Sequence, residues 1–98
     1  MTPMNFFRAK QAYNLAIGTA SATDTLASST GVVVVRVMPT VDAYIRMGGN
    51  GAAASSTNST YIPAFSVEYF LVHPGETISV ICADGVSTGN LNITEMTR

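Results

Sequence analysis

The strongest signal along this chain is an alternation of apolar and polar positions with a period of two. Val32 to Met38 is β-branched almost end to end, and Val33, Val35 and Val37 share one face. Pro39 closes the run, because proline cannot donate to a ladder. Val41 to Met47 then sets Ala43, Ile45 and Met47 against Asp42, Tyr44 and Arg46, the pattern of a half-buried strand, until Gly48-Gly49 ends it. Tyr61 to Phe65 reads as a short extended piece bent at Pro63. Val67 to Val72 is apolar on both faces apart from Glu68 and the Tyr69 phenol, as expected of a strand covered on its second side by a neighbouring subunit.

His73-Pro74-Gly75-Glu76 supplies proline at the second position and glycine at the third, the chemistry of a type II turn. Thr77 to Cys82 follows with Ile78, Val80 and Cys82 on one face, and Leu91 and Ile93 alternate in a last strand running to about Met96. Upstream, Gln11 to Gly18 forms a first strand with Tyr13, Leu15 and Ile17 in alternation. Thr19 to Gly31 and Gly48 to Thr60 are rich in small and hydroxyl residues and read as loops. No window of about eleven residues keeps helical spacing without glycine, proline or a β-branched cluster. The pattern predicts an all-β fold: an antiparallel β-sandwich or jelly roll of about six to eight strands, with a partly closed barrel as the alternative. One domain is expected over residues 11–98, preceded by an N-terminal arm at residues 1–10.

Composition sharpens this picture. The chain has 98 residues, 47% hydrophobic and only 11% charged, against roughly 25% charged in ordinary soluble domains. Its surface must therefore be built from Ser, Thr, Asn, Gly and Ala. A net charge of −1 offers no basic field, so neither nucleic acid nor an anionic membrane is an expected partner. The apolar runs are far shorter than the roughly 20 residues of a membrane span. Residues 1–22 imitate a signal peptide loosely, but Gln11, Asn14 and Gly18 interrupt its apolar stretch, so the arm is the better reading.

Candidate chemistry is sparse, and no catalytic residue, cofactor or metal site is expected. The chain has one cysteine and one histidine, too few for a disulfide framework or a structural zinc site. Cys82 shares the apolar face of Ile78 and Val80 and reads as a buried, inert thiol. His73 reads as a solvent-facing turn residue. Asp24, Asp42, Glu68, Glu76, Asp84 and Glu95 are scattered along the chain and read as solvated acids at turns and strand ends. Gly48-Gly49-Asn50-Gly51 has the glycine density of a phosphate-cradling loop but lacks its spacing and its lysine. The candidate residues are those of an interface: Phe6 and Phe7 beside Arg8 and Lys10 in the arm, with Arg36 and Arg46 on otherwise apolar strands. The two strand arginines are expected either to pair with Asp42 or Glu68 or to line a subunit boundary.

Taken together, the run Val32 to Met47 with its Asp42-Ala43-Tyr44-Ile45-Arg46-Met47-Gly48-Gly49 ending, the Ile62-Pro63-Ala64 bend, Val67-Glu68-Tyr69-Phe70, Pro74-Gly75 and the closing Gly89 to Met96 resemble small β-sandwich virion proteins of tailed bacteriophages. The resemblance spans roughly residues 31 to 98 and leaves the arm uncovered. It implies a structural role in the virion, assembled in the host cytoplasm. The expected role is a capsid decoration or cement protein that contacts the major capsid protein or another virion protein and forms homo-oligomers. A tail or fibre component with a glycan- or receptor-binding sandwich is the alternative, in which Tyr44, Tyr61 or Tyr69 would serve as stacking platforms.

Overall fold

A computed structural model of the chain describes residues 8–25, 32–48, 53–73, 75–83 and 88–97. Eight strands run in chain order: β1 (Arg8–Ile17), β2 (Ala22–Thr25), β3 (Val32–Pro39), β4 (Ala43–Gly48), β5 (Thr60–Ile62), β6 (Glu68–Leu71), β7 (Thr77–Cys82) and β8 (Gly89–Thr97). They form two four-stranded sheets with orders β1-β8-β3-β6 and β2-β7-β4-β5. Every pairing is antiparallel. Two such sheets in this order are an eight-stranded jelly roll.

The inner face of the first sheet carries Leu15 and Ile17 from β1, Leu91 and Ile93 from β8, Val35 and Val37 from β3, and Phe70 from β6. The second sheet answers with Ala22, Ile78, Val80, Cys82, Ala43, Ile45, Met47 and Ile62. Each fully buried aliphatic side chain stabilises the fold by about 1.5–3 kcal/mol relative to exposure. Cys82, expected fully buried, is half-buried at the end of β7, where it packs on this core while its amide donates to the Gly18 carbonyl at 3.0 Å. One acid breaks the expectation outright. Glu95 is 5% exposed and continues the inward column after Leu91 and Ile93, between Gln11 of β1 and Val35 of β3. It is a partnered interior carboxylate and not a solvated acid.

Several boundaries differ from expectation for local reasons. β1 begins at Arg8, so the backbone of Arg8 to Lys10, expected in the arm, lies in the ladder opposite Thr97 and Met96, with a register shift between Ala9 and Gln11. β2 falls inside a segment expected to be a loop. It is held by its pairing to β7 and by a 2.7 Å hydrogen bond between the Thr23 and Ser79 hydroxyls. Residues 26–31, from the same expected loop, and Gly49 to Gly51 lie outside the described residues. β5 stops at Ile62 because Pro63 follows. The expected turn at Pro74-Gly75 is seen in the Gly75 φ of +82° and in the 3.1 Å bond from the Glu76 amide to the His73 carbonyl.

Gly89 marks a close approach of backbone to side chain. A Cβ there would meet Val41 Cγ2 at 2.5 Å and Cγ1 at 2.9 Å. Gly89→Ala is therefore expected to destabilise the protein by about 1–3 kcal/mol, comparable to Ile93→Ala at about 3 kcal/mol, each read from the midpoint of urea unfolding. Asn90, exposed on the next position, should tolerate Ala with a change within about 0.5 kcal/mol.

Candidate assembly surface

The two outer faces of the sandwich are finished differently. Over the second sheet, the connection between β4 and β5 folds back as a cover. The Ala54 amide donates to Ser21 Oγ at 2.9 Å, Arg46 Nη1 donates to the Ala53 carbonyl at 3.3 Å, and Ala54 itself is buried. Beneath this cover Ser79 is fully buried although it lies on the outward side of β7. The connection is shaped by its own hydroxyls and amide: the Ser55 amide donates to Asn58 Oδ1 at 3.0 Å and to Ser59 Oγ at 3.1 Å. These are local side-chain to backbone bonds that compete with regular structure.

Over the first sheet, no described segment plays that part. Its outward rows are Ala12, Asn14 and Ala16 on β1, Asn92, Thr94 and Met96 on β8, Val34, Arg36 and Met38 on β3, and Tyr69 and Leu71 on β6, with Val34 buried among them. Asn92 Nδ2 donates to Asn14 Oδ1 at 3.3 Å across β1 and β8. At the β6 end the face turns apolar. Phe65, Val67, Tyr69 and Leu71 are exposed by 68, 36, 56 and 76%, an apolar stripe in which Tyr69 and Leu71 sit on β6, Val67 just precedes it and Phe65 lies in the turn closed on Pro63. Leu71 lies opposite Val34 and Tyr69 opposite Arg36.

Phe65 holds this stripe at a cost. Its φ is +64°, in the left-handed region that side chains other than those of Asn and Asp avoid. The conformation is enforced from three sides. The Phe65 amide donates to the Pro39 carbonyl at 2.7 Å, the Ala64 amide donates to Asp42 Oδ1 at 2.8 Å, and the Ser66 amide closes a turn on the Pro63 carbonyl at 3.1 Å. A strained backbone that presents an aromatic ring to solvent is the kind of outlier from which a functional role is inferred.

The interface residues expected from sequence are only partly brought together. Phe6 and Phe7 lie outside the described residues. Arg8 and Lys10 have their backbone on β1, at the sheet edge opposite β6. Arg36 is half-buried on the outward face of the first sheet and lies opposite the Tyr69 position. Arg46 is spent on its own chain, on the cover over the second sheet. Neither arginine forms an ion pair with Asp42 or Glu68. His73 Nδ1 approaches Glu76 Oε1 at 3.6 Å within the exposed turn. Sequence reasoning missed Phe65 and Leu71 as surface residues. The signal for them lay in Val67 to Val72 being apolar on both faces.

A second cluster lies at the edge of the other sheet. The rings of Tyr44 and Tyr61 are tilted by 59° with centroids 5.6 Å apart. Partial burial and the hydrogen-bonded Asp42 carboxylate both hold the Tyr61 phenol above its usual pKa of 10.0. A cleft of about 300 Å³ opens nearby between the sheets, lined by Ile45, Arg46, Met47, Asn58, Thr60 and Phe70.

No family model matches the chain, and no curated protein matches it. Among solved structures it is similar to a protein from the Bacillus endospore appendages, described as forming a novel family of disulfide-linked pili. The match has 12% identity and a TM-score of 0.52 over 93% of this chain and 87% of that one. The likeness lies in the fold.

Two outcomes follow from the strain and the phenol. Phe65→Gly should raise unfolding stability by about 1 kcal/mol, because glycine adopts positive φ freely and the lost ring is mostly exposed; calorimetry reads this as a higher Tm. Asp42→Asn should lower the Tyr61 pKa toward its ordinary value in an NMR titration of the ring. In the unsubstituted protein the phenol's contribution to stability is present in full below pH 10.0 and is lost as pH rises through its raised folded pKa.

Proposed function

We propose that this chain is a structural assembly subunit, a decoration or cement protein of a tailed-bacteriophage capsid that docks on the shell through the outward face of β6. The observation that carries this reading is the exposed Phe65, Val67, Tyr69 and Leu71 stripe, of which Tyr69 and Leu71 lie on the sheet face over which no described segment folds. A chain with only 11% charged residues supports the same role, because it places few ions in an interface core, where charge is costly to desolvate. The likeness in fold to a protein that forms pili is consistent with a subunit role. Assembly by that protein's disulfide chemistry is a poor fit. A polymer joined through disulfides alone needs two cysteines per subunit, and these 98 residues hold one.

A tail or fibre module that binds glycan is the second reading. It is favoured by the Tyr44 and Tyr61 rings lying together beside Asp42, two of the three tyrosines expected as stacking platforms. Binding of the isolated protein to a glycan array, lost in Tyr61→Ala, would select this reading over the first.

The decoration reading is tested on particles. Shells lacking the protein are mixed with the purified chain, and bound copies are counted by electron microscopy and sedimentation. Leu71→Glu with Tyr69→Ser should lower occupancy at least tenfold, a loss of about 1.4 kcal/mol or more per site, with the circular dichroism spectrum unchanged. Deletion of residues 1–7, which stops short of β1, should leave the fold intact and weaken occupancy if Phe6 and Phe7 clamp the shell. Full occupancy by the double variant rejects the stripe as the docking surface.

A further inference from the structure

The four sheet edges are not equally protected against pairing with another strand. β2 and β6 have four residues each and carry Asp24 and Glu68, and β5 has three and runs into Pro63. Short length, charge and proline are the usual devices that keep edges from associating. β1 is different. It has ten residues, and among the described residues no strand lies on its outer side. Its first three residues carry both cations, Arg8 and Lys10, together with the register shift. From Gln11 to Ile17 it is regular and holds no charge, proline or glycine.

We infer that Gln11 to Ile17 of β1 is a self-association edge, which pairs antiparallel with the same segment of a second copy about a two-fold axis at Asn14. Three features select this occupant. The other edges of the molecule are too short to cover seven residues, whereas a second β1 matches them in length. Directly opposed residues in an antiparallel pair must lie on the same face. Pairing about Asn14 meets that condition, with Ala12 opposite Ala16 and Tyr13 opposite Leu15. It also lets Arg8 and Lys10 of each copy run past Ile17 of the other, so no like charges face one another. On the outward side the opposed residues are Ala12, Asn14 and Ala16, all exposed in the single chain. Two small residues flank an amide that can hydrogen-bond its own symmetry mate. The two sheets merge into one of eight strands. This inference is independent of the shell reading, since a pair in solution forms whether or not it decorates a particle.

The test uses the full chain. Sedimentation velocity should give twice the monomer mass of 10.3 kDa, and Asn14→Lys, which sets two ammonium groups face to face at the axis, should weaken the pair roughly tenfold or more with the circular dichroism spectrum unchanged. In a Cys82→Ser background, Asn14→Cys should form a disulfide-linked pair under mild oxidation. Ala12→Cys alone should not, whereas Ala12→Cys mixed with Ala16→Cys should. A monomeric wild-type chain, an undiminished pair in Asn14→Lys, or cross-linking of Ala12→Cys to itself as fast as that of Asn14→Cys would each overturn the inference. Full shell occupancy by the Leu71→Glu, Tyr69→Ser variant with the pair intact would instead count against the docking stripe alone.

Discussion

The register of β8 is the constraint on which the structure depends. This strand pairs with β1 on one side and β3 on the other, so its alternation sets which residues of three strands face inward. Leu91 and Ile93, both fully buried, align Leu15 with Pro39 and Tyr13 with Val37 across the sheet. A slip of one residue would turn this whole column to solvent and bring Asn90, Asn92 and Thr94 into the core. The start of β8 is locked by geometry as well. Gly89 fits against Val41, and Thr40 holds Asn90 by two bonds: its amide donates to the Asn90 carbonyl at 2.8 Å, and its hydroxyl accepts the Asn90 amide at 2.9 Å. Val41 and Asp42 therefore leave the expected strand. Val41 packs beside Gly89, and Asp42 reaches across to the Ala64 amide and sets the bend that strains Phe65.

Much of the fold was legible in the chain, because burial in a sandwich writes a period of two into any strand with one wet face. β3, β4, β7 and β8 were readable for that reason, and the Pro-Gly turn for the reason that only glycine reaches positive φ without strain. β2 was not readable. Ala22 to Thr25 has no apolar alternation, and its strand character comes from the edge of β7 and a hydroxyl pair with Ser79, both distant in sequence. Glu95 was misread for the opposite reason. Its position continued the inward column, but its chemistry argued for solvent, and position won because the carboxylate is partnered inside.

The site was less legible than the fold. Sequence could say that β6 was too apolar for a solvated strand. It could not say which of its faces the chain itself would cover, since that depends on where the connection between β4 and β5 folds. Arg46 shows the difficulty. An arginine on an apolar strand suits a boundary with another subunit, yet here the boundary is internal and the arginine fastens the chain's own loop. Arg36, on the opposite sheet, meets no such loop among the described residues and stays with the outward face.

The placement of the two unprotected features makes them complementary. The stripe runs onto β6, and the regular edge that no described strand covers belongs to β1, at opposite ends of the same sheet, so using one does not consume the other. A two-fold axis normal to that sheet would carry both stripes on the same side of the joined sheet. Across eight strands, β6 of one copy and β6 of the other would stand seven spacings apart, roughly 34 Å. Two weak apolar contacts held at a fixed separation bind a periodic surface more tightly than either does alone, because the second contact forms at an effective concentration set by the first. The same spacing restricts what can be bound, since a surface whose sites do not repeat at that interval engages only one stripe and releases the pair quickly.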